Sequence, residues 1–407
     1  MSATLTEADF NAGESIHWRR NLVVCLAGSF STLIAMSLLL PFLPLYIEEL
    51  GVKDRAAIAQ WSGAIFGVTF LSAGLVAPLW GRLADRYGRK LMLIRASLGM
   101  AVVMSLIGMA HDVWQLFWLR LAVGFLGGYS SGSMTLVATQ TPKAQAGRAL
   151  GLLTSGIMAG SLTGPLIGGF LPPLIGIRAT FWLAGGVIFI AFLATTFLIK
   201  EAPRPAAARA GSRAGWSALP DKRPIMAMLM TGLLLMLANM SVEPIITLYV
   251  QQLVGDPIKV TTFAGLAMSA AALGGILSAS RLGKLADRVG HWTVIAGGLA
   301  AAALLLIPQA LISNAWQLIA LRFLMGLALG GLLPCIAAII RHNAPDSIAG
   351  TMLGYSTSSQ YAGQVVGPLA GGFVGGRLGM QAVFFATSVL MAAGALYVWA
   401  SRPRQSR

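Results

Sequence analysis

The sequence predicts an all-α membrane protein: twelve transmembrane helices in two pseudo-symmetric six-helix bundles. Three observations carry that expectation. The chain of 407 residues is 56% hydrophobic and only 11% charged, with a mean hydropathy of +0.75. A soluble domain of this size needs far more polar surface. Twelve apolar runs, 22–47, 58–80, 91–110, 113–139, 146–171, 180–199, 224–250, 260–280, 292–312, 316–340, 349–373 and 381–400, approach the roughly 20 residues a helix needs to cross a bilayer. The phrase GRLADRYGRK at 81–90 returns 202 residues later as GKLADRVGH at 283–291, and that repeat divides the chain.

The repeat extends well beyond one phrase. Pro41 and Tyr46 of span 1 match Pro244 and Tyr249 of span 7. Arg120 and Gly124 of span 4 match Arg322 and Gly326 of span 10. GSLTGPLIGG at 160–169 in span 5 matches GQVVGPLAGG at 363–372 in span 11. Phrases in one order and one register mark a tandem duplication. With six spans per copy both halves keep the same orientation, so their symmetry axis lies along the membrane normal. The expected divisions are an N-terminal segment 1–21, a bundle 22–200, a linker 201–223, a second bundle 224–400 and a tail 401–407. The linker is rich in Ala, Pro, Gly and Arg and reads as a tether.

A net charge of +15 first suggests nucleic acid, but the placement of the charges excludes it. Of the 29 Lys and Arg, 22 fall in the two ends and alternate loops, 5 in the opposite loops and 2 inside spans. By the positive-inside rule both termini face the cytoplasm of a multi-pass inner (plasma) membrane protein. No soluble domain is left to present a basic face to nucleic acid. Residues 81–90 carry five charges and are expected to form a short water-exposed turn between two spans.

Other residue types exclude further classes. Cys25 and Cys335 both fall in spans and read as buried apolar residues. His17, His111, His291 and His342 have no partner at metal-ligand spacing, so no metal site is expected. GYSSG at 128–132 matches a nucleophile-elbow pattern, but it lies within a span and not on a strand–turn–helix. No P-loop is present. The chain is not expected to be an enzyme or to need a cofactor.

GRLADRYGRK, the span 4 phrase LFWLRLAVGFLGG and GSLTGPLIGG together resemble the major facilitator superfamily, specifically its twelve-span drug:proton antiporter branch. The loop matches the family pattern at every fixed position. Val123 stands where many members have Gln, and His291 and Trp292 replace Arg89 and Lys90 in the second copy. The resemblance implies proton-driven export of small lipophilic or amphiphilic compounds, drugs included, by alternating access of a monomer. The alternatives are a narrower exporter of a sugar or metabolite, and a membrane sensor that has lost transport.

The residues also point to candidate sites. Arg120 and Arg322 are read as the basic residues inside spans, and Glu243 as the one acid well inside a span, just before Pro244. Such charges cost about 2.5–3.5 kcal/mol each on insertion scales unless they face water or a partner. The expectation is that Glu243 carries the proton, with Arg120 and Arg322 tuning it, or that the three form a fixed ion pair. Glu48, Glu49 and Asp112 are the alternative carriers. The charged loop (Gly81, Asp85, Arg86, Gly88, Arg89), with Asp287 in the second copy, is expected to act as a conformational latch. The resemblance implies that Asp85 docks at the start of span 11 near Ser347; Asp287 would do the same on span 5 near Ala144. Gly160, Gly164, Pro165 and Gly168 form a helix-packing motif, since the glycines share one face. By the family's architecture spans 1, 4, 7 and 10 line the cavity, with Met36, Ser37, Tyr129, Asn239 and Met325, and with Tyr361 and Gln364 from span 11, as candidates.

Overall fold

The computed structural model describes residues 7–201, 219 and 221–402, and within them the chain is helical with no strand. The elements run α1 (Glu7–Ser37), α2 (Leu43–Glu49), α3 (Arg55–Tyr87), α4 (Arg89–Ile107), α5 (Val113–Leu126), α6 (Tyr129–Gln140), α7 (Lys143–Phe170), α8 (Pro172–Ile175) and α9 (Ile177–Leu198). The second half runs α10 (Arg223–Val242), α11 (Ile246–Leu253), α12 (Pro257–Val289), α13 (His291–Ala310), α14 (Ala315–Leu329), α15 (Leu332–Asn343), α16 (Asp346–Leu378) and α17 (Met380–Ser401). Five spans consist of two pieces each: α1–α2, α5–α6, α7–α8, α10–α11 and α14–α15. Among the described residues, eleven spans are long and apolar enough to cross a membrane. The twelfth is α16, 33 residues long and rich in Gly, Ser and Gln. Most of 202–220 and the ends of both termini lie outside the described residues.

The charged phrase is not the expected turn. Residues 81–87 form the last two turns of α3, and the reversal is made at Gly88, φ +99°. The second copy does the same at Gly290, φ +90°. A 33-residue helix is about 50 Å long, against a hydrocarbon core of about 30 Å. The helix therefore carries its own charges out into water, and a glycine in left-handed conformation turns the chain in a single step.

The duplicated phrases do duplicated work. Tyr46 Oη donates to Ile107 O at the end of α4 (2.5 Å), and Tyr249 Oη donates to Gln309 O at the end of α13 (2.9 Å). The Tyr249 hydroxyl satisfies a carbonyl that the terminating helix leaves without an amide, and the Tyr46 hydroxyl is a second donor to one that also accepts the Ala110 amide. Asp112 caps α5 through the Gln115 amide, while Gln115 accepts from the His111 amide. Asn314, Gln317 and Ser313 repeat that capping box at α14.

The terminal face carries residue 201 and the Gly88 and Gly290 turns; the far face carries the starts of α3 and α12. On the far-face half the two bundles meet backbone to backbone. Gly63 lies against Pro368 and Gly372, Gly376 against Ala56, and Gly265 against Pro165 and Gly169. Hydroxyls cross the same seam: Thr261 to Gly169 O (2.9 Å), Ser269 to Leu162 O (2.8 Å) and Thr247 to Pro41 O (3.1 Å). Along α3 and α16 the approach is still close at Gly74 and Tyr361. Further toward the terminal face, Cβ atoms built on Gly81, Gly147, Gly283, Gly350 and Gly354 meet nothing within 4 Å.

Candidate functional site

Between the halves lies a cavity of about 500 Å³. Three interrupted spans build its charged part. In span 7, Pro244 supplies no amide, so the α-helix stops at Val242 and a 3-10 turn, Glu243–Ile245, follows. That turn presents Glu243 to the cavity. Arg120 on α5 and Arg322 on α14 face it from spans 4 and 10; each is 1% exposed. Yet Glu243 Oε2, Arg322 Nε and Nη2, and Arg120 Nε and Nη1 make no hydrogen bond. Charged atoms lining a cavity call for partners there. The arrangement is therefore not a closed structural ion pair: it leaves donors and one acceptor for a proton, water or a ligand.

The remaining wall is largely apolar. Met36 and Ser37 of α1, Asn239 of α10 and Met325 of α14 line the cavity as expected. Spans 2, 5 and 8 also contribute, which the sequence reading missed: Phe66 and Phe70, Pro165, and Met268. The F-x-x-x-F spacing in span 2 and the Met236/Met240 pair in span 7 are the signals that place side chains one turn apart on one face. Tyr361 and Gln364 line a neighbouring chamber of about 260 Å³ that shares Met36 and Phe70 with the main one.

Tyr129 does not line the cavity. Its side chain is 1% exposed, with its hydroxyl 2.7 Å from Thr195 Oγ1 and its ring packed on Gly28. The break in span 4 at Gly127–Gly128 rotates Tyr129 into the N-terminal bundle, so the helical phase of α5 does not extend to it. A second correction concerns Arg95. It lies in the second turn of α4, half-buried, so Arg120 and Arg322 are not the only basic residues within spans.

At the terminal face, Asp85 and Arg89 line an outer chamber of about 420 Å³ together with Trp80, Arg95 and Tyr361. Arg89 donates to Thr135 O and Thr139 Oγ1 on α6. Arg86 is exposed over the Tyr87 ring, and Gly81 faces open space. Asp287 lies 3.8 Å from His291 on its own half, and both it and Ala144 are exposed. The side chain of Ser347 lies outside the described residues. Glu201 is unanticipated: its carboxylate accepts the Arg89 and Lys90 amides (2.9 and 2.8 Å) and so caps α4 from the end of span 6.

Gly160, Gly164 and Gly168 all face α1, against Phe30 and Leu33, Ser37, and Leu38 in turn. Gly363, Gly367 and Gly371 face α10 in the same manner. The phrase thus lets spans 1 and 5, and spans 7 and 11, touch at the backbone. At the far face, Glu49 pairs with Arg178 at 3.2 Å and Asp112 is spent on its cap.

A profile of the Major Facilitator Superfamily matches residues 25–312 and 261–407. The multidrug resistance protein MdtG of Salmonella typhimurium is 42% identical over 392 residues, 96% of this chain and 97% of that protein. MdtG of Proteus mirabilis is 41% identical over 386 residues, 94% and 96% of the two chains. Among solved structures, a bacterial homolog of the human lysosomal transporter Spinster, inward-facing and unoccupied, superposes with a TM-score of 0.76 at 15% identity, covering 95% of this chain and 97% of that one. The nucleoside transporter NupG superposes at 0.73 with 14% identity, over 94% and 98%. With that match across both bundles, the chain belongs to the major facilitator superfamily.

Proposed function

We propose that this chain is a secondary transporter that exports small lipophilic or amphiphilic compounds, drugs included, in exchange for protons. The observation that carries the reading is the central cavity: half of its lining residues are Met, Leu or Phe, and its one carboxylate faces two buried arginines with unmade hydrogen bonds. Flexible methionines and aromatic rings accept varied apolar shapes. The names of the MdtG relatives, multidrug resistance proteins, support the same reading.

Transport proceeds by alternating access. The seam is closed at the far face and parted toward the terminal face. With the termini in the cytoplasm, as the basic loops argue, this is the inward-open state, from which an exporter loads. Glu243 exchanges a proton with the substrate. In one facing state it is dry and protonated; in the other, water and Arg322 hold it charged. Arg120 and Arg322 supply the charge that switches it. When the terminal side closes, Asp85 docks on the start of α16, with Asp287 taking the symmetric place on α7. The driving force is the proton gradient across the inner membrane, without a cofactor, and the working unit is a monomer.

A narrower sugar or metabolite exporter fits less well, because a polar substrate needs more hydrogen-bonding groups than this wall offers. A sensor without transport has no use for unpaired charges in an interior. Substrate-induced proton release from purified protein in liposomes tests the proposal. Release on adding lipophilic drugs supports it; no release across a chemically varied drug panel overturns it.

A further inference from the structure

We propose that Arg95, stacked on Trp80, is the pin that fixes the bend of span 4 and thereby positions Arg120 in the cavity. This inference rests on the transport reading above and adds a positioning residue to it. Span 4 is broken where its two pieces meet. Gly127 is extended (φ −62°, ψ −168°) and Gly128 is left-handed (φ +100°). The last carbonyls of α5 consequently have no amide partners along the helix. Two side chains from other spans supply them. Arg95 Nη2 donates to Gly127 O (3.1 Å) and Arg95 Nη1 to Phe125 O (3.4 Å); Trp80 Nε1 donates to Phe125 O (2.8 Å). The guanidinium carbon lies 3.6 Å from the centroid of the Trp80 ring. A cation at a helix C-terminus is also favoured by the helix dipole, and stacking on an indole holds the planar fork in place.

The second half is the internal control. Span 10 keeps a right-handed backbone through Gly330 and Gly331 and retains ladder bonds there, Gly330 N to Gly326 O (3.0 Å) and Cys335 N to Gly331 O (3.2 Å). The positions matching Trp80 and Arg95 at the 202-residue offset are Leu282 and Gly297, and Leu282 packs against Gly331. The arginine is present only in the half whose helix is truly broken.

The pin lies between two functional groups. Arg120 is on α5, about two turns before the break. Arg89 of the charged phrase holds α6, just beyond it, through Thr135 and Thr139. The angle between α5 and α6 therefore fixes where Arg120 lies relative to the terminal-face loop, and Arg95 with Trp80 sets that angle.

The test combines a local and a global readout on the full-length protein in liposomes. Hydrogen–deuterium exchange follows residues 124–133. Pulsed electron resonance follows nitroxide labels on Gly147→Cys and Gly283→Cys, two terminal-face positions with open space around them; Cys25 and Cys335 are buried and stay unlabelled. In Arg95→Ala, exchange in 124–133 rises at least tenfold while 293–306 is unchanged. The label distance distribution broadens, and drug-induced proton release falls at least tenfold. Arg95→Lys, which keeps the charge but not the planar fork, is intermediate in all three. Trp80→Phe, which keeps a ring but loses the donor, gives a smaller rise in exchange. Wild-type exchange and distances in Arg95→Ala overturn the proposal. If that variant does not reach the membrane, wild-type values in both Arg95→Lys and Trp80→Phe overturn it. Absence of drug-induced proton release from the wild type itself counts against the transport reading, whereas exchange and distances still decide the pin.

Discussion

A single methyl group at Gly63 should bias the transporter between its two states. Gly63 on α3 faces the Pro368 carbonyl and Gly372 Cα on α16. A Cβ there would stand 3.3 Å from Gly372 Cα and nearer still to the carbonyl oxygen. Backbone atoms on two long helices cannot step aside as a side-chain tip does. Overpacking of this kind costs about 1–3 kcal/mol. The cost falls only on the state in which α3 and α16 touch at the far face. The gain in helix propensity from Gly to Ala, about 1 kcal/mol, applies to both states and cancels. A differential of that size moves the equilibrium about 5- to 150-fold toward the far-side-open state. Pulsed electron resonance with labels at Gly147→Cys and Gly283→Cys reads the shift, since closing the terminal side brings α7 and α12 together. Gly186→Ala is the control, because a Cβ there meets nothing within 4 Å. If Gly63→Ala shows the wild-type distance distribution and turnover, the seam is not what holds this state, and the reasoning fails.

Four further outcomes are expected. Glu243→Gln, a permanent mimic of the protonated form, keeps the fold and loses export driven by an imposed pH difference; accumulation against a gradient in that variant refutes its role. Asp85→Asn inserts normally and shifts thiol-probe accessibility toward terminal-side-open; unchanged accessibility at a wild-type rate refutes the latch. Tyr46→Phe removes one of two donors to the Ile107 carbonyl and leaves the Ala110 amide as the other, costing about 0.5–1.5 kcal/mol, which a thermal melt in detergent reads as a lowered Tm with transport retained. Glu201→Ala uncaps α4 at a cost of about 1 kcal/mol, seen as faster hydrogen exchange of the Arg89 and Lys90 amides; unchanged exchange shows that another group holds that terminus.

What the sequence discloses and what it conceals follow from the range of the interactions. Twelve spans, the duplication and the Tyr46/Tyr249 pair are legible because they are written as runs or repeats along the chain. Glu243 and the two arginines stand out because charge is rare in such runs. Tyr129 is misplaced because the resemblance names the spans that line the cavity and not the helical phase of each, and the two-residue break at Gly127–Gly128 resets that phase. Arg95 hides for a related reason: it is near enough to a charged loop to be counted with it, and only the fold brings it to the end of α5. The 81–87 segment is polar enough to read as a turn, but a helix longer than the bilayer is thick can be polar and still helical. Glu201 acts on residues more than 110 positions away in sequence, and no local pattern records a cap delivered from so far.

The far-face seam has one more property. The bonds that cross it, from Thr247, Thr261, Thr262 and Ser269, run from hydroxyl to main-chain carbonyl, and its tightest approaches are glycine to backbone. None of these groups titrates near neutral pH, and none carries net charge for salt to screen. The far-face seam, so far as these contacts hold it, is therefore deaf to acidity and ionic strength. Whatever signal opens it has to arrive mechanically, through rotation of whole bundles begun in the cavity. The charged groups of the cavity are thus physically separate from the contacts that hold the far face shut.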